Sequence, residues 1–233
     1  MAKSDYGHIL RQLKSMANAG NVAGMARFGI TPKNKVLGIS IYVLRNMAKT
    51  IGTDHKLALR LWASGIHEAR LLACLVDDPE DVTESQMEEW VSDFDSWDIC
   101  DQCCSNLFDK TSFAWNKAVE WAGRQEEFVK RAGYVMMAAL SVHDAQATDK
   151  EFAALMPLIV KGSKDERNFV KKAVNWALRQ IGKRNIELNR LALKTAEKIG
   201  KIPSKAAKWV SADAIRELRS DKVQARLRAR ADR

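Results

Sequence analysis

Phe128-Val-Lys-Arg-Ala132 and Phe169-Val-Lys-Lys-Ala173 differ at one position and lie 41 residues apart. Each follows a short polar turn that contains a glycine, AGRQEE in the first case and KGSKDER in the second. Each turn in turn follows another apolar helical run. A helix pair that recurs with a period near 40 cannot bury its apolar face alone, so neighbouring pairs must stack on one another. His67-Glu-Ala-Arg-Leu-Leu-Ala73 reads as an earlier, weaker copy of the same unit.

Working outward, the rest of the chain has the same period. Val36, Ile39, Val43, Met47 and Ile51 recur at steps of three and four, with Gly52 as the stop. Leu57, Leu61 and Trp62 share a face, and Gly65 follows. Similar spacing runs through 67–78, 83–94, 112–123, 126–142, 149–162, 165–185, 186–200 and 204–221. Thr83, Thr111, Thr148 and Ser204 precede such runs and are candidate N-caps. No stretch of useful length alternates as a strand does. The pattern predicts an all-α fold, an α-solenoid of stacked HEAT-like antiparallel helix pairs whose inner helices line a concave groove. Residues 1–220 are expected to form one domain. Residues 221–233, basic and poor in large apolar side chains, are expected to be a mobile tail.

Composition narrows the function classes. The 233 residues are 46% hydrophobic and 29% charged, ordinary for a soluble globular protein and enough for a substantial core. No apolar run approaches the roughly 20 residues that span a bilayer, and the N-terminus lacks a signal-peptide core. A cytoplasmic setting with reduced cysteines is the expectation. Charge is uneven. Residues 161–233 carry 21 Lys/Arg against 8 Asp/Glu, whereas residues 1–160 carry 17 against 21. A basic C-terminal third suits a polyanion, because cations that neutralise phosphates release condensed counterions; a solvated helical surface can look the same.

Against that background, Asp93-Phe-Asp-Ser-Trp-Asp-Ile-Cys-Asp-Gln-Cys-Cys104 is unusual. It closes a segment, Asp77 to Asp101, with eleven acids and no Lys or Arg. Cys100 and Cys103 have C-x-x-C spacing, which suits zinc or a redox pair. A structural zinc site needs a second ligand pair, and Cys74, His8, His55, His67 and His143 do not form one. A thioredoxin-like pair needs a βαβ setting, which is absent. The cysteines therefore read as small core residues, and no metal or cofactor is expected. Among the acids, Asp93 and Asp95 read as turn or cap residues, and Asp98 lies off the Trp97 face.

Trp97 and Asp101 are i and i+4, so on a helix they leave one face a single turn apart. They fit either a site or a core tryptophan beside a solvated acid. Arg131 and Lys172 occupy equivalent places in the two copies, and Trp176 and Arg179 share a side with Lys172. Mixed aromatic and basic groups suit nucleic acid through charge, stacking and cation–π attraction. Burial of Trp176 between repeats is the other reading.

Together these residues resemble the HEAT-like-repeat DNA alkylation-repair glycosylases. The resemblance runs through MARFGI, GISIYVLRNMAKTIG, LWASGIHEARLLACLVDD, SWDICD, FVKRAGYVMMAAL and FVKKAVNWALRQIGKRN. It implies excision of cationic alkylpurines, such as 3-methyladenine and 7-methylguanine, from duplex DNA held in the groove, without a deep base pocket. By motif it places the catalytic acid at Asp101, its aromatic neighbours at Trp97 and Trp176, and the arginine facing the lesion's backbone at Arg131. Lys171, Lys172 and Arg179 are further phosphate contacts. Ser40 stands near the place of a polar amide in the family, and Phe28 where a Tyr is found. The implied partner is double-stranded DNA with alkylated bases, bound by a monomer with no membrane and no obligate protein partner.

The chemistry agrees. A purine alkylated at N3 or N7 is already cationic and leaves without a general acid. A carboxylate near C1′ can stabilise positive charge on the sugar and orient water. Two rival readings stand beside this one: a DNA-binding or DNA-bending solenoid without chemistry, and a protein–protein adaptor.

Overall fold

The computed structural model describes residues 5–231, and no β-strand forms among them. The chain divides into two compact units, Met1–Ser112 and Phe113–Arg233.

The first unit contains α1 (Tyr6–Ser15), α2 (Ala19–Arg27), α3 (Ile41–Ile51), α4 (His55–Ala63), α5 (His67–Val76), α6 (Glu84–Ser92) and α7 (Trp97–Asn106). A 3-10 turn, Phe108–Lys110, follows. Helix α5 is the centre of this unit and packs against α3, α4 and α7. Its apolar residues at 69, 71, 72, 73 and 76 are all buried, so the weaker sequence copy is an interior helix. Across the core the Trp62 and Trp90 rings stack at 4.0 Å, a contact worth about 1 kcal/mol beyond its buried area.

Local chemistry sets the helix ends. Gly52 follows α3 with φ 77°, a left-handed conformation that costs glycine little. Asp54, Thr83, Thr148, Asn185 and Ser204 accept backbone N–H groups as N-caps. Thr111 departs from expectation. Its hydroxyl donates to the Phe108 carbonyl at 2.8 Å, closing the 3-10 turn behind it, and the next helix begins three residues later without it.

The second unit repeats a helix pair three times: α8 (Ala114–Ala122) with α9 (Glu127–His143), α10 (Asp149–Gly162) with α11 (Asn168–Gly182), and α12 (Ile186–Gly200) with α13 (Lys205–Leu218). Helices α9, α11 and α13 pack in succession, and α8, α10 and α12 form the other row. Phe128 and Phe169 meet ring to ring at 5.6 Å, which sets α9 and α11 in register. The hydrogen bonds keep that register. Arg131 donates to the Phe169 carbonyl, Asn175 to Asp213 and Arg179 to Glu217, each across 38 residues. The third pair was not visible in the sequence because α13 begins 37 residues after α11, where α11 begins 41 after α9, and it does not repeat the Phe-Val-Lys motif. Residues 221–231, expected as a mobile tail, form α14 (Asp221–Ala231), anchored by buried Val223 and Leu227 one turn apart. Asp232, Arg233 and residues 1–4 lie outside the described residues.

Candidate nucleic-acid interface

In the first unit the site is built on α7. Trp97 occupies its first turn and Asp101 the next, both half-buried. Ile99, Cys100, Cys103 and Cys104 form the opposite, buried side. Burial and neighbouring thiols push the Cys103 and Cys104 thiols well above their ordinary pKa. Thiols held neutral in a core are poor ligands and poor nucleophiles. No group of three or more metal-ligating side chains occurs among the described residues. The Trp97 indole N–H donates to the Phe28 carbonyl at 2.9 Å. Because Phe28 closes α2, this bond ties the end of that helix to the site, and it leaves the Phe28 ring 73% exposed. Ser40 is exposed at the start of α3 and makes no capping bond. Ser40 and Trp97 line one largely apolar cavity of about 260 Å³, together with His67, Asp98 and Gln102.

Beneath that cavity lies a buried polar cluster that sequence reading did not identify. Glu68 is fully buried, and its carboxylate accepts the backbone N–H groups of Leu37, Gly38 and Ile39 at 2.8, 2.6 and 3.3 Å. These bonds fix the loop that leads into Ser40. The available signal was an acid on the apolar side of α5, one turn before Leu71 and Leu72. Glu68→Gln replaces one acceptor oxygen by an NH₂ facing backbone donors. It is expected to cost about 2 kcal/mol of unfolding free energy, read as a lower urea midpoint at constant m.

His67 Nε2 donates to Asp98 at 2.7 Å, and the Ser96 hydroxyl donates to the same carboxylate at 2.6 Å. Burial pushes the His67 pKa down. The hydrogen bond and charge of Asp98, with the charges of Glu68 and Asp95, outweigh it and leave the group above its ordinary 6.5. Burial pushes Asp98 up, but the bond and charge of His67, with Ser96 and the Ile99 N–H, hold it below 3.8. The pair therefore stabilises the fold fully between about pH 4 and 6.5. The His67 part is lost as pH rises through its raised folded value, and the Asp98 part as pH falls through its depressed one. The gap in urea midpoint between wild type and His67→Gln should be widest near about pH 5.5 and narrow by about pH 8.5. A gap independent of pH would contradict the charged pair.

Asp93 and Asp95 are committed to structure. Asp93 accepts from the Trp62 indole and from Arg70, and Asp95 from the Lys33 backbone N–H and from Asn34. They act as clamps between segments, consistent with their reading as turn and cap residues.

In the second unit the cationic residues differ in availability. Lys172 is exposed on α11, and Trp176 is half-buried one turn on. Lys171 lies 5.3 Å over the Trp209 ring, whose edge is itself exposed. Arg131 is buried and donates to the Phe169 carbonyl at 2.6 Å, so its guanidinium joins α9 to α11. Arg179 is paired with Glu217 and lies 3.8 Å from Asp213. Lys172 is thus the cation of this set most open to a ligand.

Stacked helix pairs, a basic second unit and a tryptophan–aspartate turn on α7 define a helical-repeat protein of the kind that handles DNA. The chain belongs to the DNA alkylation repair enzyme family, whose model matches residues 9–218. A solved structure of a new family of proteins related to the HEAT-like repeat DNA glycosylases, with affinity for branched DNA structures, is similar to it. The two superpose with a TM-score of 0.76 at 18% identity, over 91% of this chain and 95% of that one. No curated protein matches the chain in sequence.

Proposed function

We propose that the protein is a monofunctional DNA glycosylase that releases cationic N3- and N7-alkylated purines from duplex DNA. The observation that carries this reading is the α7 pair, a half-buried carboxylate one turn from a half-buried indole. In a family of DNA alkylation repair enzymes, an acid near phosphates is unfavourable unless it meets positive charge. The alkylated base brings that charge, and it passes to the sugar as the glycosidic bond breaks. Asp101 stabilises the sugar cation and orients the attacking water. The indole face of Trp97 attracts the cationic base; on the second unit, Trp176 offers a further aromatic face to DNA, and Lys172 with Lys171 holds the backbone. Arg131 and Arg179 act by fixing the helices that present these groups, and Ser40 meets the strand beside Trp97. The proposed setting is cytoplasmic, with the protein acting as a monomer.

The test is release of 7-methylguanine or 3-methyladenine from methylated duplex by the purified protein. A second reading has an observation of its own: the structurally similar protein is described by affinity for branched DNA. Under that reading the protein binds branched DNA tightly and releases no base.

A further inference from the structure

The second unit has a cavity of about 400 Å³ at the C-terminal ends of α9 and α11, roofed by α14. Its wall holds four cations, Lys183, Arg184, Arg226 and Arg230, with Gln180 and Asn185 and no carboxylate. Two of the arginines are held in place by main-chain carbonyls. Arg184 donates to Ser141 and Ala147 and lies 4.7 Å over the Phe152 ring. Arg230 donates to the carbonyls of Lys183 and Arg184. Carbonyls carry partial charge only, so these bonds orient the guanidinium groups without cancelling their charge; Arg184 also feels the charge of Asp144, which does not line the cavity. Lys183 has an acid, Glu217, at 2.7 Å. Arg226 is exposed and has no hydrogen-bond or ion-pair partner among the described residues. A neighbouring cavity, lined also by Glu217, adds the exposed Lys222 and shares Lys183 and Arg226 with this one.

Three guanidinium groups around one concavity repel one another, and this arrangement is relieved when a polyvalent anion enters. Guanidinium forks match phosphate oxygens in pairs, and Gln180 and Asn185 supply neutral amide groups beside them. We infer that this cavity is a second phosphate site, separate from the Lys172–Trp176 face, which takes a backbone phosphate of a nucleic-acid strand. Lys183 lies about 16 Å along the helix axis from Lys172, close enough for one bound DNA to reach both. The inference rests on the DNA-binding part of the proposed function and does not need base excision.

The test uses an unmodified 24-base-pair duplex and the full chain, with affinity measured over a series of salt concentrations. The double variant Lys222→Gln/Arg226→Gln removes two exposed charges that hold no structural bond. Lys194→Gln/Lys198→Gln removes the same charge from exposed positions on α12 and is the control. The expected result is a slope of log K against log salt that is smaller by about 1 for the cavity variant, with affinity down about tenfold at low salt. The control should keep the wild-type slope. If both variants follow wild type, or both lose slope equally, the cavity is not a phosphate site although the protein binds DNA. If wild type shows no salt-dependent DNA binding, the DNA reading fails and this inference with it.

Discussion

Asp101→Asn is expected to slow single-turnover release of 7-methylguanine by about 10²–10³-fold, equivalent to about 2.7–4 kcal/mol of transition-state stabilisation. The substitution keeps the shape of the side chain and removes its charge. The loss should therefore fall on the chemical step, where positive charge accumulates on the sugar. Affinity for unmodified duplex should stay the same or rise, because a negative group near phosphates has been neutralised. Thermal midpoints of the two proteins should agree within a few degrees, which separates a chemical effect from a folding one. Excision by the variant at the wild-type rate would remove Asp101 from the mechanism. Measurable binding to branched DNA, with no excision by either protein, would favour the second reading.

Gly133→Ala should destabilise the second unit by about 3 kcal/mol or more. In an open helix the same change stabilises, because alanine has the higher helix propensity by about 1 kcal/mol. Here α9 approaches α8 so closely that a methyl group at 133 would lie 2.8 Å from the Trp121 carbonyl carbon and the Ala122 Cα. Those are main-chain atoms of a packed helix and cannot swing aside. The α8–α9 pair would have to separate, loosening Trp121, which is fully buried. A thermal midpoint unchanged or raised in the variant would mean that the two helices are free to part.

The all-α character and the 41-residue step were legible because Phe128 and Phe169, which set the register, are repeated unchanged in the sequence. The third pair escaped because α13 comes 37 residues after α11, off the 41-residue step, and does not repeat the Phe-Val-Lys motif. Helix α14 escaped for a related reason. Two apolar residues one turn apart anchor it, too few to stand out from the surrounding arginines. At the candidate site, the i, i+4 spacing of Trp97 and Asp101 could be read directly from the chain. The bond from Trp97 to the Phe28 carbonyl could not, since a main-chain acceptor leaves no trace in residue identity. Arg131 shows the converse limit. Its type suits a phosphate, yet its burial and its bond to Phe169 give it a structural task that charge alone does not disclose.

The 38-residue bonds of the second unit have a spatial consequence. Helices packed side by side stand about 8–10 Å apart, so Arg131 and Lys172, which hold equivalent positions on α9 and α11, lie one such step apart. Arg131 turns its charge inward to the Phe169 carbonyl, and Lys172 keeps its charge at the surface. Of two copies of one motif, the first is a rivet and the second a handhold.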